Sequence, residues 1–411
     1  MESRRPGDDK AFVCAFRGRR DNYQIPVGLA EAGKLDQFIT DFYADGPIRT
    51  FARLLPAPLA KKVSSRWHSG IPSGKVRSLW LTTAREHIRH AFGIAHGRTY
   101  SILDRYYSIA ARDRARKTKS SLFLYSPYAW EAFTAAYSHR PRKILFQFHP
   151  HIDFERRVLT KDLEAHSQIG CLDVRQNEMK LSAPVRAEQR NGSWKHADLI
   201  ICASSFTRRT LVEAGADPKL CKVIPYGVDL PREVAGKAPS KDRFEVLFVG
   251  SGIQRKGLHH LIMAWMAAKM PKGSRLTLVC RNIHPAMDKL ARQDSSIRLL
   301  QRVSKEELSN LYCISSIFVM PSLIEGFGQV YLEALSFGCP VVGTPHTGLP
   351  DLGGEGDGIL TVTPGNIDEL RELLSRLAVT LPGNPHIRRQ ARLCASRFPW
   401  SRFRAGLRSL L

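Results

Sequence analysis

Short apolar runs alternate with amphipathic stretches along nearly the whole chain of 411 residues. The apolar runs end at Gly, Pro or polar residues, as buried strands do, and the stretches between them have helical spacing. This alternation predicts parallel sheets covered by helices. The predicted strands are 11–16, 36–42, 121–125, 144–148 and 199–203 in the first half, and 244–250, 275–280, 297–300, 317–320 and 340–343 in the second half.

The two series of strands divide the chain into two domains. Residues 230–242 contain Pro and Lys with few apolar residues and predict the linker. We expect an α/β fold of two doubly wound, Rossmann-like domains facing across a cleft, over residues 1–222 and 223–390. A helix over 391–411 is expected to pack back on the first domain. The segment 45–120 departs from the alternation and predicts a basic insertion of two or three helices.

Start and stop signals bound two helices in the first half. Asn22 and either Ser204 or Ser205 stand where helix N-caps are expected, and Gly33 and Gly215 stand where the helices end. We therefore predict that helices begin at these polar residues.

A pair of carboxylates marks the second half, because Glu325 and Glu333 are separated by seven residues. The apolar pattern predicts a strand before the pair and a helix over 329–337, which places Glu325 in the turn between them. Gly326 and Gly328 leave the backbone bare at the helix start, where N–H groups and the helix dipole favour phosphate. A carboxylate beside this site would repel a phosphate, so it is better suited to bind hydroxyl groups. Phosphate and several hydroxyl groups together describe a nucleotide sugar.

A second glycine-containing turn follows the strand that is predicted to end at Gly250. Ser251 comes next, and Arg255 and Lys256 precede Gly257, which opens a helix. Glycine lets the backbone approach an anion, and the cations neutralise it. The spacing is not that of a Walker A motif, and a Rossmann fingerprint would need a glycine where Arg255 stands. We interpret the turn as a second anion site on the same domain.

These two segments resemble the motifs of retaining glycosyltransferases of family 4, which have the GT-B fold. The carboxylate pair is similar to the family's Glu–seven residues–Glu motif, and Lys256-Gly257 is similar to its donor-binding loop. Ser251 stands where the family has Arg, and we expect Arg255 to supply that charge. Further stretches similar to the family pattern lie at 197–207, 224–229, 338–342 and 348–351, so the matches cover about residues 197–380.

The resemblance implies roles for individual residues. Glu325 is expected beside the donor sugar and Glu333 at the ribose hydroxyls, while Phe327 and Gly328 present backbone N–H groups to sugar and phosphate. The implied catalytic residues are Glu325, Lys256 and His149. The implied donor-binding residues are Gly250, Ser251, Arg255, Lys256, Glu325, Gly326, Phe327, Gly328 and Glu333.

The first half supplies the acceptor side of the implied site. His149 follows a predicted strand and resembles the strand-end histidine that orients the transferred sugar in several family members. The alternative for His149 is a surface-turn histidine before a proline. Arg17, Gly18 and Arg19 follow the first strand, where the family has a glycine-rich acceptor loop.

No cofactor is expected, because the nucleotide sugar is a substrate. No metal is expected either. The second half has no Asp-x-Asp at a strand end, and no His/Asp cluster has metal spacing. Arg255, Lys256 and a helix N-terminus can stabilise a leaving diphosphate in place of Mg²⁺.

The net charge of +24 is unevenly distributed, because sixteen Lys and Arg stand against three acidic residues between Arg49 and Lys119. An anionic membrane surface or an anionic acceptor suits such a segment. A solvated basic face and nucleic acid are the alternatives, and no RNA- or DNA-binding signature supports the latter. No apolar stretch reaches about 18 residues, and the start lacks a signal-peptide core. We therefore expect a cytoplasmic protein, peripheral at the inner face of the membrane.

The function predicted from these features is a glycosyltransferase. It would move a sugar from a nucleoside diphosphate sugar to a lipid-linked or polysaccharide acceptor, with retention implied by the resemblance. A GT-B sugar-nucleotide epimerase and a basic nucleic-acid-binding protein with a degenerate nucleotide fold are the alternatives.

Overall fold

The computed structural model describes residues 10–52, 54–92, 99–167, 191–231, 239, 242–382 and 384–411. Its first sheet has seven parallel strands in the order β3-β2-β1-β4-β5-β6-β7. The strands are β1 (Phe12–Ala15), β2 (Leu35–Thr40), β3 (Val76–Ser78), β4 (Ser121–Tyr125), β5 (Lys143–Gln147), β6 (Leu199–Cys202) and β7 (Cys221–Val223).

The second sheet has six parallel strands in the order β10-β9-β8-β11-β12-β13. The strands are β8 (Glu245–Val249), β9 (Arg275–Val279), β10 (Ile297–Leu300), β11 (Ile317–Val319), β12 (Val341–Gly343) and β13 (Ile359–Thr361). The strand order reverses between β8 and β11, which is where a doubly wound sheet opens a crevice for ligands. The loops after these two strands carry Lys256 and Glu325.

The helices cover the faces of both sheets. They are α1 (Gln24–Glu31), α2 (Gly46–Ala52), α3 (Ala57–Ser64), α4 (Trp80–Ala91), α5 (Thr99–Thr118), α6 (Trp130–Phe133), α7 (Ile152–Ala165), α8 (Ser205–Glu213), α9 (Leu258–Ala267), α10 (Pro285–Ala291), α11 (Lys305–Ile314), α12 (Gln329–Ser336), α13 (Ile367–Thr380), α14 (Pro385–Ser396) and α15 (Trp400–Arg408). The predicted α/β class with two Rossmann-like sheets is thus present.

Three strands were not predicted, and each lies at the edge of its sheet. These strands are β3, β7 and β13, each of three residues. An edge strand is covered less completely than a central one, so it does not need a continuous apolar run. The apolar pattern therefore predicted the buried centre of each sheet and not these edges.

The basic segment 45–120 is more than an insertion of two or three helices. The structure has four helices and a strand there, and α5 belongs to the core of the first domain. Leu103, Tyr107, Ala111 and Ala115 lie four residues apart on α5 and are buried. This helix precedes β4 and covers β1, and the polar residues Asp104 and Ser108 are buried along with these apolar ones.

The end of the chain crosses from the second domain back to the first. Pro399 bridges to Val228, and α15 packs on α1, where Leu407 lies against Gly28. Nε of Arg404 lies 2.8 Å from Oε1 of Glu31. This returning helix therefore joins the two domains in addition to the predicted linker, 230–242, most of which lies outside the described residues.

Candidate active site

Glu325 lies where the loops of both domains converge. Its Oε2 accepts a hydrogen bond from Nη1 of Arg255 at 2.8 Å and another from Nζ of Lys256. The three side chains are each only 11–14% exposed. The loop after β8 and the loop after β11 thus bring together the three charged groups that the sequence assigned to donor binding.

Glu325 is ionised in this environment. Burial on its own would raise the pKa of the carboxyl, but the charges of Arg255, Lys256 and His149 more than offset it and hold the pKa well below its usual range. A carboxylate that stays charged can accept hydrogen bonds from hydroxyl groups of a ligand.

The residue after Glu325 is held by the first domain. The Gly326 carbonyl accepts hydrogen bonds from Oγ of Ser204 at 2.5 Å and from Oγ1 of Thr207 at 3.0 Å. A Cβ on Gly326 would lie 1.7 Å from the Phe148 carbonyl oxygen. Glycine is therefore required here by the close approach of the two domains. Ser204 was predicted as the N-cap of α8, and it also accepts from the Thr207 N–H as a cap does.

Phe327 and Gly328 complete the loop before α12. Gly328 has a φ of +83°, and a Cβ there would also meet the Tyr331 ring at 2.6 Å. The N–H groups of Phe327 and Gly328 have no acceptor among the residues that the structure describes. They lie at the start of α12, where the helix dipole favours a negative ligand.

Glu333 lies apart from the charged cluster, within α12. Burial raises the pKa of its carboxyl, and the Tyr312 phenol and the Lys305 charge offset this only partly. The two glutamates of the motif therefore have opposite electrostatic environments. The expected role of Glu333 at the ribose hydroxyls stays a prediction.

The glycines of the donor loop serve two different purposes. Gly257 has a φ of +65°, and a Cβ there would lie 2.0 Å from the Pro321 carbonyl oxygen, so the loops after β8 and β11 can meet closely. Ser251 is exposed, and Gly250 lies directly after β8. Arg255, rather than a residue at position 251, is the arginine that reaches Glu325.

His149 lies at the end of β5, on the side that faces the second domain. Its Cα would be 3.2 Å from a Cβ on Gly326, and its charge contributes to lowering the pKa of Glu325. Its ring lies 4.2 Å from that of Phe148, measured between centroids. The surface-turn alternative is not what the structure has, because the histidine sits against the motif loop.

The predicted acceptor loop, residues 17–19, makes hydrogen bonds to residues of its own domain. The Gly18 N–H donates to Oδ1 of Asp41 at 3.1 Å, and Nε of Arg19 donates to Oδ1 of Asn22 at 2.7 Å. Gly18 has a φ of +84°. The predicted N-cap at Asn22 is wrong, since α1 begins at Gln24 after Asn22 itself adopts a φ of +50°.

Sequence reasoning missed Arg20 and Asp21, which follow this loop and contact residues beside the candidate site. The Arg20 guanidinium lies 4.3 Å from the centre of the Phe148 ring. Asp21 accepts hydrogen bonds from the hydroxyls of Tyr125 at 2.6 Å and Tyr226 at 3.0 Å. Burial raises the pKa of Asp21, and these hydrogen bonds and the Arg20 charge only partly lower it again.

The backbone at this point is unusual. Asp21, Asn22 and Tyr23 have φ values of 46°, 50° and 63°, a left-handed run of three residues that are not glycine. Such conformations persist only where the surroundings enforce them, and they concentrate at functional sites. No motif in the sequence marks this turn, because the strain arises from the buried contacts of Asp21 and Tyr23.

The fold forms a cluster of possible metal ligands that the sequence pattern does not show. The sequence predicted no His/Asp cluster with metal spacing, but Asp162, His166, His259 and His260 place a ligand atom each within 4.8 Å of one another. The two pairs are far apart in the chain, so only the fold brings them together.

Comparison with known proteins bears on these observations. Residues 243–379 match the family model described as "Glycosyl transferases group 1". The MMP alpha-(1->4)-mannosyltransferase of Mycolicibacterium hassiacum is 28% identical over 191 residues, covering 44% of this chain and 45% of that protein. The O-antigen chain mannosyltransferase B of Escherichia coli is 29% identical over 191 residues, covering 42% and 50%. The chain thus spans about half the length of these curated relatives.

Solved structures match over nearly the whole chain. Sucrose-phosphate synthase from Thermosynechococcus elongatus has a TM-score of 0.63 at 15% identity and covers 98% of both chains. HepE of Anabaena, solved in complex with UDP-glucose, has a TM-score of 0.61 at 16% identity and covers 98% of this chain and 100% of its own. These likenesses establish the two-domain fold.

The predicted resemblance is therefore confirmed by the family model and by the fold together. Residues 243–379 match the model of group 1 glycosyltransferases, in a chain whose two domains have the GT-B fold.

Proposed function

We propose that this protein transfers a hexosyl unit from a nucleoside diphosphate sugar to an acceptor bound by the first domain. The observation that carries the proposal is the convergence of Arg255 and Lys256 on Glu325, against the Phe148–His149 backbone of the opposite domain. Cations for a diphosphate, a charged carboxylate for hydroxyl groups and bare N–H groups at a helix start are what a nucleotide sugar requires.

The chemistry follows from where charge develops. As the bond between the sugar and the diphosphate breaks, negative charge grows on the leaving phosphate, and Lys256 and Arg255 stabilise it more than they stabilise the intact donor. Glu325 and His149 orient the sugar hydroxyls. Retention of the anomeric configuration is part of the proposal through the family resemblance.

The diphosphate needs no divalent metal in this proposal. Two cations already converge on one carboxylate oxygen, and donor binding would redistribute their hydrogen bonds between Glu325 and the phosphates. Added Mg²⁺ or Mn²⁺ should leave turnover unchanged. A dependence of turnover on either ion would contradict this part of the proposal.

The donor is best identified by a binding screen followed by a transfer assay. One relative is named as a GDP-mannose-dependent mannosyltransferase, and HepE was solved with UDP-glucose. GDP-mannose, UDP-glucose and ADP-glucose should therefore be compared by thermal shift, since a ligand that binds only the native state raises its melting temperature. One of them should stabilise the protein, and free nucleoside diphosphate should appear only when acceptor is added. Stabilisation by none, or conversion of the donor without acceptor, would overturn the proposal, the latter in favour of an epimerase.

The acceptor is proposed to be lipid-linked and reached at an anionic membrane surface. Among the described residues, nine of the fourteen exposed large apolar side chains lie within 48–92. They are Ile48, Phe51, Leu54, Leu55, Leu59, Trp80, Leu81, Ile88 and Phe92. Exposed Lys61 and Lys62 lie on α3, among these apolar side chains. Basic and apolar groups side by side are what an interfacial helix presents to a bilayer.

Other basic residues of the segment are used inside the protein. Arg114 is 2.7 Å from Oδ1 of Asp36, and Nη2 of Arg116 donates to the Ala136 carbonyl at 2.9 Å. Part of the charge near Lys119 is therefore structural. No helix of the described residues is long and apolar enough to cross a bilayer.

Vesicle binding tests the membrane proposal. The protein should bind anionic vesicles and not zwitterionic ones, and about half-molar NaCl should weaken binding because the Debye length falls well below its physiological ~8 Å. Replacing Phe51 and Leu54 by Ser should reduce binding, whereas the same change at the exposed residues Val379 and Leu393 of the second domain should not. Equal binding by both double variants, or equal affinity for RNA, would contradict a membrane surface.

A further inference from the structure

A compact group of three histidines and one aspartate lies between the two domains. Asp162 is on α7 and His166 directly follows this helix, whereas His259 and His260 are the second and third residues of α9. Asp162, His259 and His260 are buried, and His166 is partly buried. Nothing in the proposed transfer reaction uses these side chains.

Three distances within the group are close to those between ligand atoms of one tetrahedral ion. Oδ1 of Asp162 lies 2.8 Å from Nε2 of His260, 3.3 Å from Nε2 of His259 and 3.4 Å from Nδ1 of His166. Ligand atoms about 2.0–2.1 Å from a tetrahedral zinc ion are about 3.3 Å from one another. One ligand atom from each of the four residues lies within 4.8 Å of the other three.

The other carboxylate oxygen, Oδ2, lies 3.1 Å from Nε2 of His259 and also has a partner outside the group. Oδ2 of Asp162 accepts a hydrogen bond from Nε2 of Gln254 at 2.7 Å. The same nitrogen donates to the Leu159 carbonyl at 2.9 Å, so the amide bridges the two domains. Metal-binding carboxylates are commonly oriented by such an outer hydrogen bond, which leaves the first oxygen to face the metal.

Hydrogen bonding does not account for the arrangement of His260. Its Nε2 is buried and close to Asp162 but forms no hydrogen bond of acceptable direction. A cation bound by both atoms would account for a buried imidazole nitrogen that lies 2.8 Å from a carboxylate oxygen and has no hydrogen-bond partner.

The kind of ion follows from the donor set. Imidazole nitrogens select zinc and other late first-row metals, whereas Mg²⁺ and Ca²⁺ prefer six or more oxygen ligands. Four protein ligands would close a tetrahedral site and leave no position for substrate. The geometry therefore suits a structural ion rather than a catalytic one.

We propose that Asp162, His166, His259 and His260 bind one Zn²⁺ ion that joins the two domains. Each domain contributes two ligands, so the ion would stabilise the closed arrangement of the cleft. Gln254 directly precedes Arg255 and Lys256, and the same short loop therefore connects the zinc site to the cations of the donor site. Zinc would fix the position of that loop without touching the substrate.

Metal binding by the full-length protein tests the proposal directly. Purified protein is stripped with a chelator, supplied with Zn²⁺ alone, passed through a desalting column and analysed for metal. We expect one zinc per chain for the wild type and less than a tenth of that for Asp162→Asn and His260→Gln. His386→Gln, which changes an exposed histidine of α14, should retain one zinc.

Cobalt supplies a readout that does not depend on the variants folding well. Co²⁺ bound to the stripped wild type should give the intense visible absorption of a tetrahedral site, and Zn²⁺ should displace it. Absence of stoichiometric zinc, retention of zinc by both variants, or an octahedral cobalt spectrum would each overturn the proposal. None of these outcomes depends on whether the protein transfers a sugar.

Discussion

Oε2 of Glu325 lies 2.8 Å from Nη1 of Arg255, in a site where the same oxygen also accepts a hydrogen bond from Lys256. One oxygen thus holds two cations that a diphosphate would also attract. The carboxylate keeps the cations in place before the donor arrives, and fixed charges stabilise a transition state without having to rearrange. The predictions below test this arrangement and the residues that enforce it.

Replacing Glu325 by Gln should abolish transfer while leaving the affinity for nucleoside diphosphate within a few fold. Gln keeps the size of the side chain but loses the charge that accepts hydroxyl hydrogen bonds, and the cations remain available to phosphate. Transfer rates and calorimetric binding measure the two effects. Glu306→Gln, at an exposed position of the same domain, is the control. Near-normal turnover of the Glu325 variant would remove Glu325 from the donor site.

Replacing Glu333 by Gln should weaken nucleotide and nucleotide sugar binding alike. A hydrogen bond to a charged group contributes roughly 1.5–3 kcal/mol, which corresponds to about ten- to a hundredfold in affinity. The wild type should bind a 2′,3′-dideoxynucleotide as weakly as the variant binds the ribonucleotide. Equal wild-type affinity for the two nucleotides would exclude a ribose contact.

Replacing Lys256 by Gln should reduce the rate more than the affinity. Charge builds on the leaving phosphate only as the bond breaks, so we expect kcat to fall roughly a hundred- to a thousandfold and donor affinity to change less than tenfold. Lys289→Gln, on the exposed side of α10, should change neither quantity. A loss confined to KM would show that Lys256 serves binding alone.

Replacing Gly326 by Ala should separate the domains. The new Cβ would lie 1.7 Å from the Phe148 carbonyl oxygen, and a backbone contact cannot rotate away. Because a misplacement of about 1 Å can reduce a rate about a hundredfold, kcat/KM should fall at least that far. Gly354→Ala places its methyl group in open space and is the matched control. Similar activities for the two variants would mean that the cleft is open during turnover.

The stabilising contribution of Glu325 should depend on pH in a defined direction. Its pKa is held below the ordinary value of 4.5, so the unfolded state takes up a proton first as the pH falls. The contribution is fully present above the ordinary value and is lost as the pH falls through the lowered pKa of the folded protein. The difference in unfolding free energy between wild type and Glu325→Gln should be roughly 3 kcal/mol at pH 7. It should stay constant down to about pH 5 and shrink below that. A difference that already shrinks between pH 8 and 5 would indicate a raised pKa.

The central strands and the chemistry of the motif segments were predictable because they depend on neighbouring residues. Runs such as 317–320 must be apolar to lie in the middle of a covered sheet, and Gly328 must lack a side chain because the turn into α12 gives it a positive φ. The bounds of α12 agree with the prediction to within a residue. The position of Lys256 in the same crevice follows from the strand order of a doubly wound sheet.

Contacts between distant segments could not be predicted in the same way. Nothing near Asp162 in the sequence indicates that His259 and His260 will lie beside it, and nothing near Gly326 indicates that the Phe148 carbonyl will exclude a methyl group there. Local patterns determine which segments form strands and helices, because the periodicity of burial is set by a few neighbouring residues. Which side chains meet across the cleft depends on how two separately folded sheets pack, and that was decided only by the tertiary structure.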